Sequence, residues 1–438
     1  MKDEQHDGAF WYWVGALLLL VVAAAIRLRD RGATLFEDEV WAAVLLQRGG
    51  LRPHTYNIPP LFYGIGRLWM SLRGTADPVL REPAILFGVI TSIIPLAAPR
   101  SLRVRFVWAL LLAFSSPLLF YSTRLKQYTL EAAFATALIV LFLHAFDRGG
   151  AARWTAFFAA AAAGVASLHM AVFIVAAAGL LCIFTKETRR WPIVSGFALV
   201  AGVFVAAYFA YLAPGPATTK LHGDMTTLFT ATGRWIDSPR SLIANTAFWT
   251  GHAMNLVPFW WIVVPVLAIV WVAAARNAAT IVLCILPPAF AAAASIFHVY
   301  PYGEVRLMIF CFPALYLLIA ESVAFASIRF PLVLLVVAPF VLSGVVRETY
   351  NAYMGVTDLR GMVAAVTRGH RAGEPIFTEH SYTPVLAYYC SVCRTDFHEV
   401  VADTAAAPGW YVQRTSHFDP GTNDILFRNR EATLIHLK

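Results

Sequence analysis

Long apolar runs, separated by short charged segments, constrain this chain more than any other feature of its sequence. A helix needs about 20 apolar residues to cross the hydrocarbon core of a bilayer, with a range of roughly 17–25. Charged residues make up 14% of the chain, whereas a soluble domain carries roughly 25%. The sequence therefore predicts an all-α polytopic membrane protein with about eleven transmembrane helices, at 10–26, 83–98, 106–122, 128–146, 154–168, 170–184, 192–212, 257–275, 278–297, 307–326 and 330–346.

The apolar stretch 154–184 requires a break, because it is about ten residues too long for one spanning helix. We place the break near Ser167-Leu168-His169, so that two short helices joined by a tight turn replace one long helix. This division also keeps all later loops on consistent sides of the membrane.

Basic residues in the short loops predict the orientation of the chain, because cytoplasmic loops are enriched in Lys and Arg. With a cytoplasmic N-terminus and an uncleaved first helix, the basic loops 99–105, 147–153 and 185–191 all lie inside. Arg27, Arg29 and Arg31, just after the first helix, then fall outside and oppose this pattern. The net charge of +8 comes from short clusters between apolar runs, so nucleic-acid binding is not expected.

Three longer polar segments fall outside in this orientation. The first is the outer loop 27–82, in which the amphipathic stretch Leu61–Leu72 is expected to lie along the membrane interface. The second is 213–256. The third is the tail, 347–438, where alternating helix and strand patterns predict a small extracytoplasmic α/β domain after a transmembrane domain at 1–346.

An acidic triplet, Glu37-Asp38-Glu39, follows the first helix in the outer loop. A carboxylate at the outer surface can act as general base on an acceptor hydroxyl or amine. The same residues also suit the N-terminus of a helix over Val40–Gln47, where they favour the helix dipole. Spacing alone leaves both interpretations open.

Cations lie near two other outer helix ends, on a side that should be poor in them. Arg124 and Lys126 can bind a phosphate there, or simply extend toward lipid headgroups. Arg306 begins a late helix, where a cation opposes the dipole and an anionic partner offsets the cost. Glu304 can be that partner, so an internal salt bridge stays open as the alternative to ligand binding.

Two further polar features have structural interpretations of their own. His169 can face the same outer side, but a lone histidine at a helix turn is more often structural. Cys390 and Cys393 form a single C-x-x-C pair, which can be a zinc half-site, a redox pair or a disulfide, and a disulfide is the default outside the cytoplasm. No metal ligand set and no cofactor is predicted, and dependence on a divalent metal stays open.

In their order along the chain, these features resemble the GT-C superfamily of membrane glycosyltransferases. They are most similar to bacterial relatives of the protein O-mannosyltransferases and of the lipid A aminoarabinose transferases. The resemblance covers most of 10–326 and rests on Asp38-Glu39 with Trp41-Ala42, Pro59-Pro60-Leu61-Phe62-Tyr63, Leu80-Arg81-Glu82-Pro83-Ala84, Tyr121-Ser122, Lys126-Gln127-Tyr128, and Arg306 with Pro313. Gln127 replaces a commoner proline and the tail is short, which leaves the acceptor open.

The resemblance implies an inverting glycosyltransferase of the bacterial inner membrane. Its donor would be a polyprenyl-phosphate-linked sugar, and its acceptor a lipid, glycan or protein on the non-cytoplasmic face. Asp38 would be the catalytic base, with Glu39 orienting it or contacting the acceptor. The donor phosphate would be held by Lys126, Arg306 and Arg124. The expected substrate cavity also includes Tyr63, Tyr128, His169, Tyr302 and Glu304.

A transporter or flippase of lipid-linked sugars is the alternative function. Transporters place ionisable groups near the bilayer midplane. In this sequence the helix centres are nearly free of such groups, and the candidate residues cluster at one face. This distribution favours the enzyme and leaves the transporter as the second hypothesis.

Overall fold

The computed structural model covers most of the transmembrane portion and separate parts of the tail. The described residues are 2–29, 35, 37–48, 58–168, 170–185, 191–212, 238–255, 265–266, 269, 278–297, 299–328, 335, 337–354, 359–371, 374–378, 383–390, 397–399, 409–414, 425–428 and 432–437.

Helices dominate the described residues. In chain order they are α1 Lys2–Leu28, α2 Glu37–Arg48, α3 Pro60–Arg73, α4 Asp77–Ile93, α5 Leu102–Phe114, α6 Ser116–Ser122, α7 Tyr128–Arg148, α8 Ala151–Ser167, α9 Ala171–Phe184, α10 Trp191–Ala207, α11 Ser238–Ala253, α12 Ala278–Ile296, α13 Phe312–Ser327, α14 Val337–Met354, α15 Leu359–Gly369 and α16 Thr383–Tyr389. The strands are β1 Ile376–Thr378, β2 Phe397–Glu399, β3 Gly409–Arg414, β4 Ile425–Arg428 and β5 Ala432–Leu437.

Several described helices are suited to a membrane by length and composition. Five are long and apolar enough to cross one: Asp77–Ala97, Tyr128–Arg148, Trp191–Ala210, Ala279–Ile296 and Ile309–Ser327. The bent pair α5 and α6 makes a sixth if it forms one broken span. The helical membrane architecture is therefore confirmed. The total of about eleven spans stays a prediction, and the expected span 257–275 lies almost entirely outside the described residues.

The predicted break in the stretch 154–184 is confirmed, because α8 ends at Ser167 and α9 begins at Ala171. The two helices approach closely at Gly164, where an added Cβ would lie 3.0 Å from the Cβ of Ala171. The absence of a side chain there lets the second helix return beside the first. His169, between them, lies outside the described residues.

A bend of 56° separates α5 from α6 and directs the chain toward the loop that carries Arg124. A broken helix frees backbone groups, which must find partners when no water is available. Asn255 supplies them: its Oδ1 accepts from Ser116 N at 2.7 Å, and its Nδ2 donates to Phe114 O at 3.0 Å. Tyr316 of α13 adds a bond to Ser115 Oγ at 2.8 Å. The bend is thus built into the packing of neighbouring segments.

Arg27, at the end of α1, is completely buried. Its guanidinium donates to Ala23 O at 3.0 Å and to Ala113 O at 3.2 Å, so it joins α1 to the end of α5. It packs over Gly88, where an added Cβ would lie 2.8 Å from the arginine Nε. This position explains an exception in the sequence pattern, because Arg27 serves as an internal structural residue rather than as a loop cation.

A cluster of ion pairs lies where α7 ends. Arg100, in the turn after α4, binds Asp147 through Nη1 and Glu321 of α13 through Nε, the latter at 2.5 Å. Arg105 donates to the carbonyl of Arg100 at 2.7 Å. The cluster therefore ties together segments from three parts of the chain at this end of the bundle.

The tail contains a five-stranded sheet in the order β2-β1-β3-β5-β4. β1 pairs in parallel with β2 and β3, whereas β5 pairs antiparallel with β3 and β4. The helices α15 and α16 and the strand β1 lie where the sequence pattern predicts them. Cys390, directly after α16, is disulfide-bonded, and Cys393 lies outside the described residues.

Candidate active site

The side chain of Glu39 is the centre of the candidate site. It lies in the first turn of α2, is 1% exposed, and forms a bidentate ion pair with Arg81 of α4. Arg81 donates through Nε to Oε1 at 2.9 Å and through Nη2 to Oε2 at 2.7 Å. Parallel bonds of this kind fix geometry as well as charge. The pair therefore holds the first turn of α2 against α4.

The same carboxylate also binds the loop between α6 and α7. Leu125 N–H donates to Glu39 Oε1 at 2.6 Å, and Arg124 Nη1 lies 3.4 Å from Oε2. Donors from two arginines and one backbone amide favour the charged form of the carboxylate. Glu39 consequently joins α2, α4 and this loop.

Asp38 precedes Glu39 in the first turn of α2. The helix begins at Glu37, three residues before the expected Val40. The acidic triplet therefore does lie at a helix N-terminus, where carboxylates favour the dipole. The side chains of Glu37 and Asp38 lie outside the described residues, so the role of Asp38 as catalytic base stays a prediction.

Two cations lie in the loop that meets Glu39. Arg124 is partly exposed, and its guanidinium lies 4.8 Å from the centre of the Phe120 ring. Lys126 follows two residues later, in a loop tightened by a 2.8 Å bond from Lys126 N to Arg124 O. Arg124 and Lys126 therefore bring two cations to the loop beside Glu39, and such cations attract an anion.

The loop that carries Arg306 packs against the start of α7. Tyr300 is its anchor, with a hydroxyl that donates to Leu307 O at 2.6 Å. Burial raises the pKa of the Tyr300 phenol well above its ordinary value, and the nearby Glu131 raises it further. Arg306 Nε lies 3.9 Å from Glu304 Oε1, so the internal ion pair anticipated as an alternative is present at long range.

The other predicted cavity residues lie at separate places. Tyr302 is buried and shares a 2.9 Å hydrogen bond with Thr246 of α11, and burial raises the pKa of its phenol. Tyr128 is also buried, with its ring 4.9 Å from that of Tyr121. Tyr63 lies half-buried in the first turn of α3, and its phenol forms no hydrogen bond with the other candidates among the described residues.

Two functional candidates were not identified from the sequence. Arg81 had no role assigned beyond its place in a motif, and the structure makes it the partner of Glu39. Glu131, one turn into α7, is 5% exposed, and its carboxylate forms no hydrogen bond or ion pair with the described residues. Placing an ionisable residue in an apolar membrane helix costs free energy, and such residues are often functional. The lone Glu in the run 128–146 was therefore the available signal.

Metal binding receives no support from the geometry of the described part of the chain. Within it, no three His, Cys, Asp or Glu side chains come together as a possible ligand set.

Comparison with known proteins relates this arrangement to a known fold. No family model matches the sequence, and a search of curated proteins finds no match. Two crystal structures of ArnT from Cupriavidus metallidurans share the architecture. The one bound to undecaprenyl phosphate superposes with a TM-score of 0.59 at 12% identity, over 98% of both chains. The apo structure gives 0.58 at the same identity and coverage. The chain is thus similar in fold to ArnT over 98% of its length.

Proposed function

We propose that this protein is a membrane glycosyltransferase that takes a sugar from a polyprenyl-phosphate carrier. The acceptor is a lipid, glycan or protein at the non-cytoplasmic face. Asp38 is the base, Lys126 and Arg306 bind the donor phosphate, and Arg124 assists them. Glu39 is assigned to positioning rather than to proton transfer, because its oxygens already accept from Arg81 and Leu125.

One observation carries this proposal: the Glu39 carboxylate joins the acidic turn of α2 to the cationic loop before α7. Asp38 is the neighbouring residue in that turn, and Arg124 and Lys126 are in that loop. A base and phosphate-binding cations are the two components that the reaction requires, and here they come from adjacent segments. The fold is also that of ArnT, which has been crystallised with undecaprenyl phosphate.

The reaction balances with these groups alone. Asp38 accepts the proton of an acceptor hydroxyl or amine, and the acceptor atom attacks the anomeric carbon from the face opposite the phosphate. The carbon–oxygen bond to phosphate breaks with inversion, and the electron pair stays on the polyprenyl phosphate. Lys126 and Arg306 stabilise that growing charge, which is greater in the transition state than in the bound donor.

The proposed orientation places the site at the outer surface of the bacterial inner membrane. Residues 213–256 and the α/β tail lie on that side, and loops 99–105 and 147–153 lie in the cytoplasm. An impermeant thiol reagent applied to intact cells tests this with Lys220→Cys and, as the cytoplasmic counterpart, Arg103→Cys. Labelling of Lys220→Cys only after permeabilisation contradicts the orientation.

Transfer and transport are separated by one reconstitution experiment. The purified protein is placed in liposomes with undecaprenyl-phosphate sugars labelled in the sugar, and with candidate acceptors. The enzyme releases undecaprenyl phosphate and forms a labelled product. A flippase instead moves intact labelled lipid between leaflets without cleavage of the anomeric bond. Movement without cleavage would replace the enzyme with the transporter hypothesis.

A further inference from the structure

The helix α16 of the C-terminal tail packs against α2, the helix that carries Asp38. Val385 and Leu386 of α16 are fully buried. At the far end of α2, Gln47 Nε2 donates to the hydroxyl of Tyr388 at 3.3 Å, in an exposed contact. The tail therefore touches the acidic outer-loop helix directly.

Tyr389 makes the more specific contact. Its hydroxyl donates to Asp77 Oδ2 at 2.6 Å and accepts from the backbone N–H of Leu35 at 3.1 Å. Leu35 lies two residues before α2, and Asp77 is the first residue of α4. One phenol thus connects the entry of α2 with the start of α4. Both Leu35 and Asp77 are at most 2% exposed, so these bonds are sheltered from water.

The Tyr389 hydroxyl connects the same two helices, α2 and α4, that the ion pair between Glu39 and Arg81 connects. Arg81, one turn beyond Asp77, binds Glu39 in the first turn of α2. The segment before α2 and its first turn are therefore tied to α4 at two points, of which one is supplied by the tail. A helix of 12 residues is marginal by itself in water, and its position depends on tertiary contacts.

We propose that Tyr389 is a positioning residue, through which the C-terminal tail sets the placement of the α2 entry and of Asp38. This inference rests on the proposed function for its kinetic consequence. The proposed function assigns the donor phosphate to Lys126 and Arg306, whereas the Tyr389 hydroxyl bonds to Asp77 and to the Leu35 amide. Loss of its hydroxyl therefore slows the transfer step without weakening the donor complex.

Tyr389→Phe tests the inference, because it keeps the ring and removes only the hydroxyl. Tyr388→Phe is the matched control, since it removes a neighbouring phenol whose bond to α2 is long and exposed. We expect single-turnover transfer to fall about tenfold in Tyr389→Phe, the ratio that loss of one charge-assisted hydrogen bond implies. The dissociation constant for undecaprenyl phosphate should be unchanged in both variants. Equal transfer rates in the two variants overturn the proposal.

Hydrogen exchange separates this inference from the proposed function. In the full-length protein without substrate, Tyr389→Phe should speed exchange at the Leu35 amide and in the first turn of α2, whereas Tyr388→Phe should not. If Tyr389→Phe speeds exchange but the wild-type protein transfers no sugar, the glycosyltransferase proposal is refuted and the structural role of Tyr389 is retained. Unchanged exchange refutes the tie whatever the activity. If the Tyr389→Phe protein does not accumulate, Asp77→Asn replaces it in the test, because asparagine keeps an oxygen acceptor for the Tyr389 hydroxyl. The proposal then requires a smaller increase in exchange at the same sites.

Discussion

The two ends of the helix bundle hold opposite arrangements of buried charge. At one end a single carboxylate, Glu39, is surrounded by Arg81 and Arg124. At the other end a single guanidinium, Arg100, is surrounded by Asp147 and Glu321. The helix α7 links them, and its 21 residues span about 30 Å.

The difference shows which end suits an anionic substrate. Around Arg100 two carboxylates meet one cation, and the cluster joins three segments of the chain. Around Glu39 two arginines meet one carboxylate, and Lys126 lies in the same loop as Arg124. A buried ion pair is weak evidence for function, because both clusters contain one. The cationic loop of Arg124 and Lys126 is what distinguishes the candidate site.

The largest effect is expected from Asp38→Asn, which keeps the size of the side chain and removes the base. General-base catalysis contributes roughly 10²–10⁴-fold, so single-turnover transfer should fall by that factor while donor binding stays intact. Glu82→Gln is the control, since Glu82 is an outer-loop carboxylate engaged by Trp69 and Arg73. Near-normal transfer by purified Asp38→Asn moves the base to Glu37 or Glu39.

Glu39→Gln should act chiefly on stability. It leaves Arg81 buried without its counter-charge, and breaking a buried ion pair costs about 3–5 kcal/mol. We expect a lower thermal unfolding midpoint in detergent, with a slower transfer step in the folded fraction. The double variant Glu39→Gln with Arg81→Gln should recover part of the loss. A fully stable Glu39→Gln with the kinetic defect of Asp38→Asn would instead mark Glu39 as the base.

Arg100→Gln breaks the cluster at the opposite end and sharpens the comparison. Because the change leaves Glu321 buried without its cation, stability should fall by about 3 kcal/mol, the lower part of the range for a buried pair. Transfer per folded molecule should match the wild type. If transfer per folded molecule falls below that of the wild type, the two ends are functionally coupled and the contrast between them fails.

Smaller effects are expected at the donor phosphate. Lys126→Ala and Arg306→Ala should each weaken undecaprenyl-phosphate binding and slow transfer together, by about tenfold or more, as loss of a charge-assisted hydrogen bond implies. Arg306→Lys should rescue only part of the loss, since a planar fork is replaced by a point charge. Binding isotherms and single-turnover rates decide this. Unchanged binding in Arg306→Ala would restrict that residue to its contact with Glu304.

The sequence by itself determined the helical membrane architecture and much of the element order. Apolar runs and proline positions specify local structure, because lipid forces the backbone to satisfy its own hydrogen bonds. The break before Ala171, the helix opened by Pro60 and the short helix Thr383–Tyr389 are local features of this kind, and the structure contains each of them. Helix counting also predicts a common outer location for Asp38 and Lys126.

Only the tertiary structure decided the roles within the site. Glu37, Asp38 and Glu39 look equivalent along the chain, yet Glu39 turns out to bind Arg81, 42 residues away. Sequence patterns report periodicity and charge, but not which distant side chain meets a given carboxylate. The same limit applies to Tyr389, whose partners lie 312 and 354 residues away. Such pairings depend on packing among non-adjacent segments, and packing is a property of the folded chain.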